Sequence, residues 1–361
     1  MRICTLFLLL ALSNSLFAQD VTVVGTLDHH FYPPHNTALN AKPISKQLIK
    51  LLKVQLSKPG LKALNDRTIL ALNKSNLMAT SSNLPRKIDL GMNDVPVLDQ
   101  GSHGSCVTFA NTAALNAALN KGDYISQLCQ LQLGKYLEEN GYYPSGWDGS
   151  LGHMVLSQIT SFGIVSKEQQ KAVGCGGMTK YPTHDVSMPE GAMSVEQFHQ
   201  ISEDVSNQAS WSPILDVFTG FDRTDTNKTL NDIKMALSEK DRVTFGVLLL
   251  DFDLGFMGAV GTHNTSLDTW VLTPEIARDI RIRPDFGGHE MVITGYDDDA
   301  IATDDQGQQH KGLLTLRNSW GNQLGDKGNF YMSYDYFKIL VIEAQRIRSM
   351  PADGGLDSIT G

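Results

Sequence analysis

Apolar positions follow helical spacing through much of the first half of this 361-residue chain and gather into short strand-like runs in the second. Residues 6–12 form a brief apolar run behind Arg2 and ahead of a small, polar stretch. That is the layout of a secretory signal peptide, so residues 1–18 are expected to be removed after Ala18. Residues 20–41 are rich in His, Pro and Asn and read as irregular. Ile44, Leu48, Leu51 and Leu52 recur at helical spacing, which predicts a helix over 44–56, stopped by Pro59-Gly60, and a second over 61–73. A polar linker over 78–83 leads to the main body, which opens at Leu84-Pro85.

In the body, residues 106–120 read as a helix carrying Ala110, Ala113, Ala114, Ala117 and Ala118. Such small side chains let neighbours approach closely, which predicts a buried central helix. Further helices are expected over 125–139, 151–162 (ended by Gly163), 195–206 and 230–237. The rest of 180–228 reads as loop. Strands are expected over 243–250, 290–296, 313–317 and 330–333. The stretch 251–288 is glycine-rich, irregular at first and then mixed, and 350–361 is a loose tail.

Composition adds an ordinary core, with 41% hydrophobic residues. Apart from the leader, no run approaches the roughly 18 apolar residues of a membrane span, so an exported protein without a stable membrane anchor is expected. Charge is uneven. Residues 19–84 hold eight Lys/Arg against three Asp/Glu, and residues from 85 onward hold 21 against 36. The basic segment could dock on the acidic body, or its lysines could simply solvate a helix. An acidic body argues against nucleic acid as a partner.

Chemistry concentrates first in QGSHGSC, Gln100 to Cys106, where a glycine-rich turn becomes the alanine-rich helix. A helix N-terminus favours a thiolate, Ser105 is placed to cap that helix, and Gly101 and Gly104 allow the Gln100 amide to turn back toward the sulfur. The plainer alternative is a small buried cysteine. A thiol nucleophile needs a base and an orienting group. His289, in GGHEMVITGYDDD, starts one predicted strand, and Asn318, in LLTLRNSWGNQLGDKGNF, ends the next, with Trp320 close by. Once Cys4 leaves with the signal, Cys106, Cys129 and Cys175 remain in a compartment that permits disulfides. Two can pair and one is left over. The absence of any CxxC spacing argues against a zinc site, and no metal or organic cofactor is expected.

These three motifs, with GWDGSLGHMVLSQITSFGI over 146–164, resemble the papain-like cysteine peptidases, discontinuously from Leu84 to about Phe337. The resemblance implies an α+β papain-like fold: a helical lobe at about 98–185, a β-sheet or barrel lobe at about 228–345, and the active site in the cleft between them. By position, Cys106 would be the nucleophile, His289 its ion-pair partner and Asn318 the group orienting His289. Gln100 and the Cys106 backbone N–H would form the oxyanion hole. Trp320 would shield the Asn318–His289 bond at the edge of the substrate site. Gly149 and Ser150 match the glycines that bind substrate backbone, with Leu151 beside them. Glu290 falls where the family lines a substrate pocket, which suggests tolerance for Lys or Arg there.

Cys129 and Cys175 match a family disulfide, the pairing that spares Cys106. Another family bridge is missing on both sides, with His103 and Trp147 at its positions. His103 is then expected as a solvated turn residue. Cys106 and His289 lie 183 residues apart, more than the roughly 130 to 150 usual for the family. Insertions are therefore implied at about 180–228 and 251–288, the second bordering the cleft or lying peripherally. The resemblance also implies that residues 19–83 are an inhibitory, helical prosegment and that 84–349 is the peptidase domain. The reading is a secreted, monomeric thiol endopeptidase acting on peptide or protein substrates. Its rivals are an amidase or transpeptidase on cell-wall peptides and a non-catalytic binding module.

Overall fold

The computed structural model describes residues 20–31, 47–73, 83–142, 144, 146–217, 226–250, 259–260, 268–282, 286–304 and 306–350. The expected signal segment, most of the linker before Leu84 and the tail beyond Met350 lie outside them.

The alanine-rich run forms helix α2 (Cys106–Leu119), taking α1 as the helix that precedes it at Lys58–Asn73. Its small side chains allow it to be buried along most of its length, against both sheet and helices. The next expected helices are α3 (Gln127–Glu139) and α4 (Gly152–Phe162), followed by short α5 (Lys167–Val173) and α6 (Val195–His199). Helix α6 is shorter than the expected 195–206. Its Ser194–Gln197 capping box fixes the start, and Glu203 then leaves the helical path to exchange backbone bonds with Ile164.

The remainder is dominated by one mixed sheet. Before the body come β1 (Val21–Phe31) and β2 (Gln47–Leu56), and β3 (Lys87–Asp89) lies at its start. Then follow β4 (Ala209–Leu215), α7 (Thr226–Ser238), β5 (Arg242–Leu249), β6 (Ala259–Val260), β7 (Thr269–Trp270) and α8 (Pro274–Ile282). The chain closes with β8 (Phe286–Thr303), β9 (Gln309–Arg317), β10 (Asn329–Ser333), α9 (Tyr334–Leu340) and β11 (Val341–Ser349). The strand order is β4-β11-β5-β8-β9-β10-β7-β6, with β2 and β3 also paired to β8. Strand β8 is thus the hub, and its first turn of sequence carries His289. The fold class is α+β, helices leading and sheet following, as the motifs implied.

The segment before the body corrects the sequence reading. Residues 47–56 are a strand, not a helix, and 21–31, expected to be irregular, pair with them as an antiparallel hairpin. The apolar run containing Ile49, Leu51, Leu52 and Val54 fits either period. The choice falls to β because β2 gains backbone partners on both edges, β1 on one and β8 on the other. Pro59 does not stop a helix but sits in the first turn of α1, where its missing N–H costs nothing. Two lysines are paired within the segment, Lys50 with Asp28 (3.7 Å) and Lys62 with Asp66 (2.6 Å). Helix α1 buries Leu64 and Thr68 and packs on α8 and α9. The stretch 251–288 therefore contributes α8 as part of a platform for α1.

Cys129 and Cys175 are bonded, tying α3 to the chain just after α5 across 46 residues. Replacing both by serine is expected to lower stability by about 2–4 kcal/mol, the range for a loop of this size. Thermal unfolding of the double variant beside the wild type measures it, and an unchanged midpoint would show the bridge to be dispensable.

Candidate active site

Cys106 is the first residue of α2 and is fully buried, the only free cysteine among the described residues. Position Ser105 is the N-cap, but its hydroxyl makes no cap bond. It is instead 2.8 Å from the Tyr181 hydroxyl, which corrects the expected capping role. The Cys106 thiol is pushed up to about 12, chiefly by burial, against a backbone bond from Glu290 that pulls the other way.

His289 Nε2 lies 2.8 Å from Asn318 Oδ1. The same oxygen accepts the Ser319 N–H at 2.7 Å, so the Asn318 amide is oriented with its oxygen inward and Nε2 must carry the proton. Nδ1 is therefore the bare nitrogen, and it is buried without a hydrogen-bond partner. Trp320 stacks on the imidazole at 4.4 Å between ring centroids. Burial lowers the His289 pKa to about 4, although the Asn318 bond opposes that shift. In this arrangement thiol and imidazole are both neutral.

Gln100 is buried and anchored on three sides. Its N–H donates to the Ser319 carbonyl (2.8 Å), the Ser319 hydroxyl donates to Oε1 (2.7 Å), and Nε2 donates to the His103 carbonyl (2.9 Å). One N–H of the amide is left over to point elsewhere. Ser319 thus joins the glutamine turn to the asparagine loop. No sequence motif marks Ser319 by itself, although it stands between Asn318 and Trp320. His103 is buried rather than solvated, with Nε2 3.0 Å from the Pro182 carbonyl and its ring edge-on to Trp147 at 5.0 Å. The two positions of the missing bridge are in contact as the resemblance implied, but through aromatic rings.

The hairpin fills the space in front of these groups. Strand β2 pairs with the start of β8, Leu52 opposite Gly288 and Val54 opposite Phe286, one residue short of His289. Gly149, with φ +118, has Val23 Cγ1 only 2.6 Å and Leu52 Cδ2 3.0 Å from where a Cβ would stand. Thr26 of β1 lies against Gly104 in the nucleophile turn. Ser150 and Leu151 are buried beside Gly149, Leu151 being the N-cap of α4. The hairpin therefore bridges the glycines of the helical half and the first strand residues of the sheet half.

Glu290 has a different setting from the pocket wall expected. It alternates to the face of β8 opposite His289 and is buried against α2, where Asn111 Nδ2 donates to Oε1 at 2.6 Å. Burial first, and Glu343 second, raise its pKa well above the usual carboxylate range. A buried acid bonded inward to α2 presents no carboxylate to a Lys or Arg side chain, unlike the pocket wall expected from the sequence.

No curated protein matches the chain. Among solved structures it is similar to xylellain, a cysteine protease from Xylella fastidiosa, at 20% identity and TM-score 0.47 over 76% of this chain and 91% of that one. It is also similar to digestive procathepsin L 3 of Tenebrio molitor larval midgut, at 18% identity and TM-score 0.44 over 77% and 73% of the two chains. The Peptidase C1-like family model matches residues 255–348, the part that holds β8 with His289 and the β9 end with Asn318. Over residues 255–348 the chain is thus similar to the Peptidase C1-like family.

Proposed function

We propose that the chain is an exported thiol endopeptidase made as a proenzyme, with Cys106 as nucleophile, His289 as its proton partner, Asn318 as the orienting group and residues 19–83 as an intramolecular inhibitor. The observation that carries this reading is the buried His289–Asn318 bond of 2.8 Å under Trp320. It leaves a bare Nδ1 on the residue adjoining Glu290, whose backbone bonds the Cys106 thiol. The Cys129–Cys175 disulfide suits an oxidising, extracytoplasmic destination. No described helix is long and apolar enough to cross a membrane.

The reaction follows from these groups. Nδ1 takes the thiol proton, and the thiolate attacks a peptide carbonyl carbon. The resulting oxyanion is met by the Cys106 backbone N–H and the free N–H of Gln100, each such donor being worth about 3 kcal/mol in the transition state. The imidazolium returns its proton to the leaving amine and a thioester remains. Water, deprotonated by His289, then releases the acid and restores the thiol. The ion pair is stable only where water or developing charge compensates it. Burial under the hairpin favours the neutral pair, so the prosegment would silence the thiol electrostatically as well as by occupying the cleft.

Replacing Cys106 by alanine should abolish peptide hydrolysis and also stop trimming near Leu84. Maturation of that variant at the wild-type rate, followed by electrophoresis of the secreted chain, would exclude self-processing. Breaking the strand pairing with Leu52→Lys and Val54→Lys should raise the rate of Cys106 alkylation at pH 7 at least tenfold. A raised thiol pKa keeps the thiolate scarce until pH is high, so the covered chain should react only as pH climbs. The uncovered one should react at lower pH. Identical profiles for the two chains would rule out the inhibitory hairpin.

A further inference from the structure

The turn from Gln100 to Cys106 carries no covalent tie among the described residues, yet four of its polar groups are bound by one short stretch, 181–183. Ser102 N–H donates to the Thr183 carbonyl (3.3 Å) and the Pro182 carbonyl meets His103 Nε2 (3.0 Å). The Tyr181 hydroxyl donates to the Gln100 carbonyl at 2.8 Å, which leaves its oxygen to accept from the Ser105 hydroxyl, also at 2.8 Å. Gly101, at φ +56, fits only because it lacks a side chain, since a Cβ there would stand 1.9 Å from the Thr183 oxygen. The Tyr181 ring is itself immobilised. It stacks on Trp147 (5.6 Å, interplanar 8°) and meets Phe109 of α2 and His103 edge-on at 5.0 and 5.8 Å.

The two residues that Tyr181 bridges are not arbitrary. Gln100 bears one of the oxyanion donors proposed above, and Ser105 supplies the carbonyl half of the peptide whose N–H is the other. A single hydroxyl thus spans the turn at both donors and sets the distance between them, in a buried site where a chain of two hydrogen bonds is stiff and strongly directional. Oxyanion donors act only when they are already aimed at the position the charge will take. We propose that Tyr181 is a positioning residue of the oxyanion hole, holding the Gln100 amide and the Cys106 N–H in register through its bonds to the Gln100 carbonyl and the Ser105 hydroxyl. This rests on the peptidase reading. It assigns a function to a stretch that the sequence places at the edge of an insertion.

The test compares the full chain after maturation with its Tyr181→Phe and Ser105→Ala variants. Phenylalanine keeps the ring stack and removes both bonds, while Ser105→Ala removes one. Four quantities are read: kcat, KM, the affinity of a peptide aldehyde, whose hemithioacetal oxyanion needs the hole, and the rate of Cys106 alkylation by iodoacetamide, which does not. For Tyr181→Phe, kcat and aldehyde affinity should fall together on the order of tenfold, less than deleting a donor outright. KM should stay within about twofold of wild type and alkylation should be unchanged. Ser105→Ala should fall between the two, and it decides the matter alone should the phenylalanine chain not fold. Unchanged kcat and aldehyde affinity would overturn the proposal, as would alkylation and thermal midpoint falling in step with kcat. If the wild type is alkylated at Cys106 but cleaves no peptide, the peptidase reading fails by itself, and aldehyde affinity still judges Tyr181.

Discussion

A buried asparagine sets where Cys106 can be. Asn111, just over one turn along α2 from Cys106, donates to Glu290 on β8 (2.6 Å) and accepts from Thr244 on β5 (3.0 Å). An alanine-rich helix lying on an apolar sheet could slide or rotate at little cost, since one small side chain replaces another in the contact. Unpaired buried amides and carboxylates are expensive, so the polar pin admits one register. In that register Cys106 meets the β8 backbone at Glu290, beside His289. The Asn318–His289 bond, the Ser319 link to Gln100 and the Tyr181 bridge all presuppose it.

The same region concentrates acids where water is absent. Glu343 on β11 accepts the Gly152 N–H at the start of α4 (2.9 Å) and lies close enough to Glu290 to raise its pKa. Both helices next to the cleft are therefore tied to the sheet through carboxylates, α2 by way of Asn111 and α4 directly. Burial first, and the nearness of Glu343 second, disfavour the charged form of Glu290. The arrangement joins the helices to the sheet through buried carboxylates.

The hairpin shows why occlusion can be strong without a covalent lock. Strand β2 satisfies the open edge of β8, and its side chains occupy the space left by Gly149 and Gly288. Removing the hairpin would expose that edge and those apolar surfaces together. The energetic link between the hairpin and Cys106 is burial itself, because the buried surroundings of the thiol hold its pKa up.

By itself the sequence determined the residues of the candidate site, since Cys106, His289 and Asn318 each stand in a local motif whose residue types follow from the chemistry required. It also determined the elements with an unambiguous period: the buried α2, the helices α3 and α4, and the strands around His289 and Asn318. What it did not contain was the choice at 47–56, where the apolar spacing fits a helix and a strand equally. Backbone partners from β1 and β8, distant in the chain, made the decision. It could not reveal the burial of His103, the inward turn of Glu290, the neutral state of the covered thiol or the reach of Tyr181 to the nucleophile turn. Each depends on what surrounds a side chain in three dimensions. Periodicity and motif record which residues a chain must keep close together in sequence, whereas desolvation and long-range hydrogen bonds arise only when the helix, the sheet and the hairpin have met.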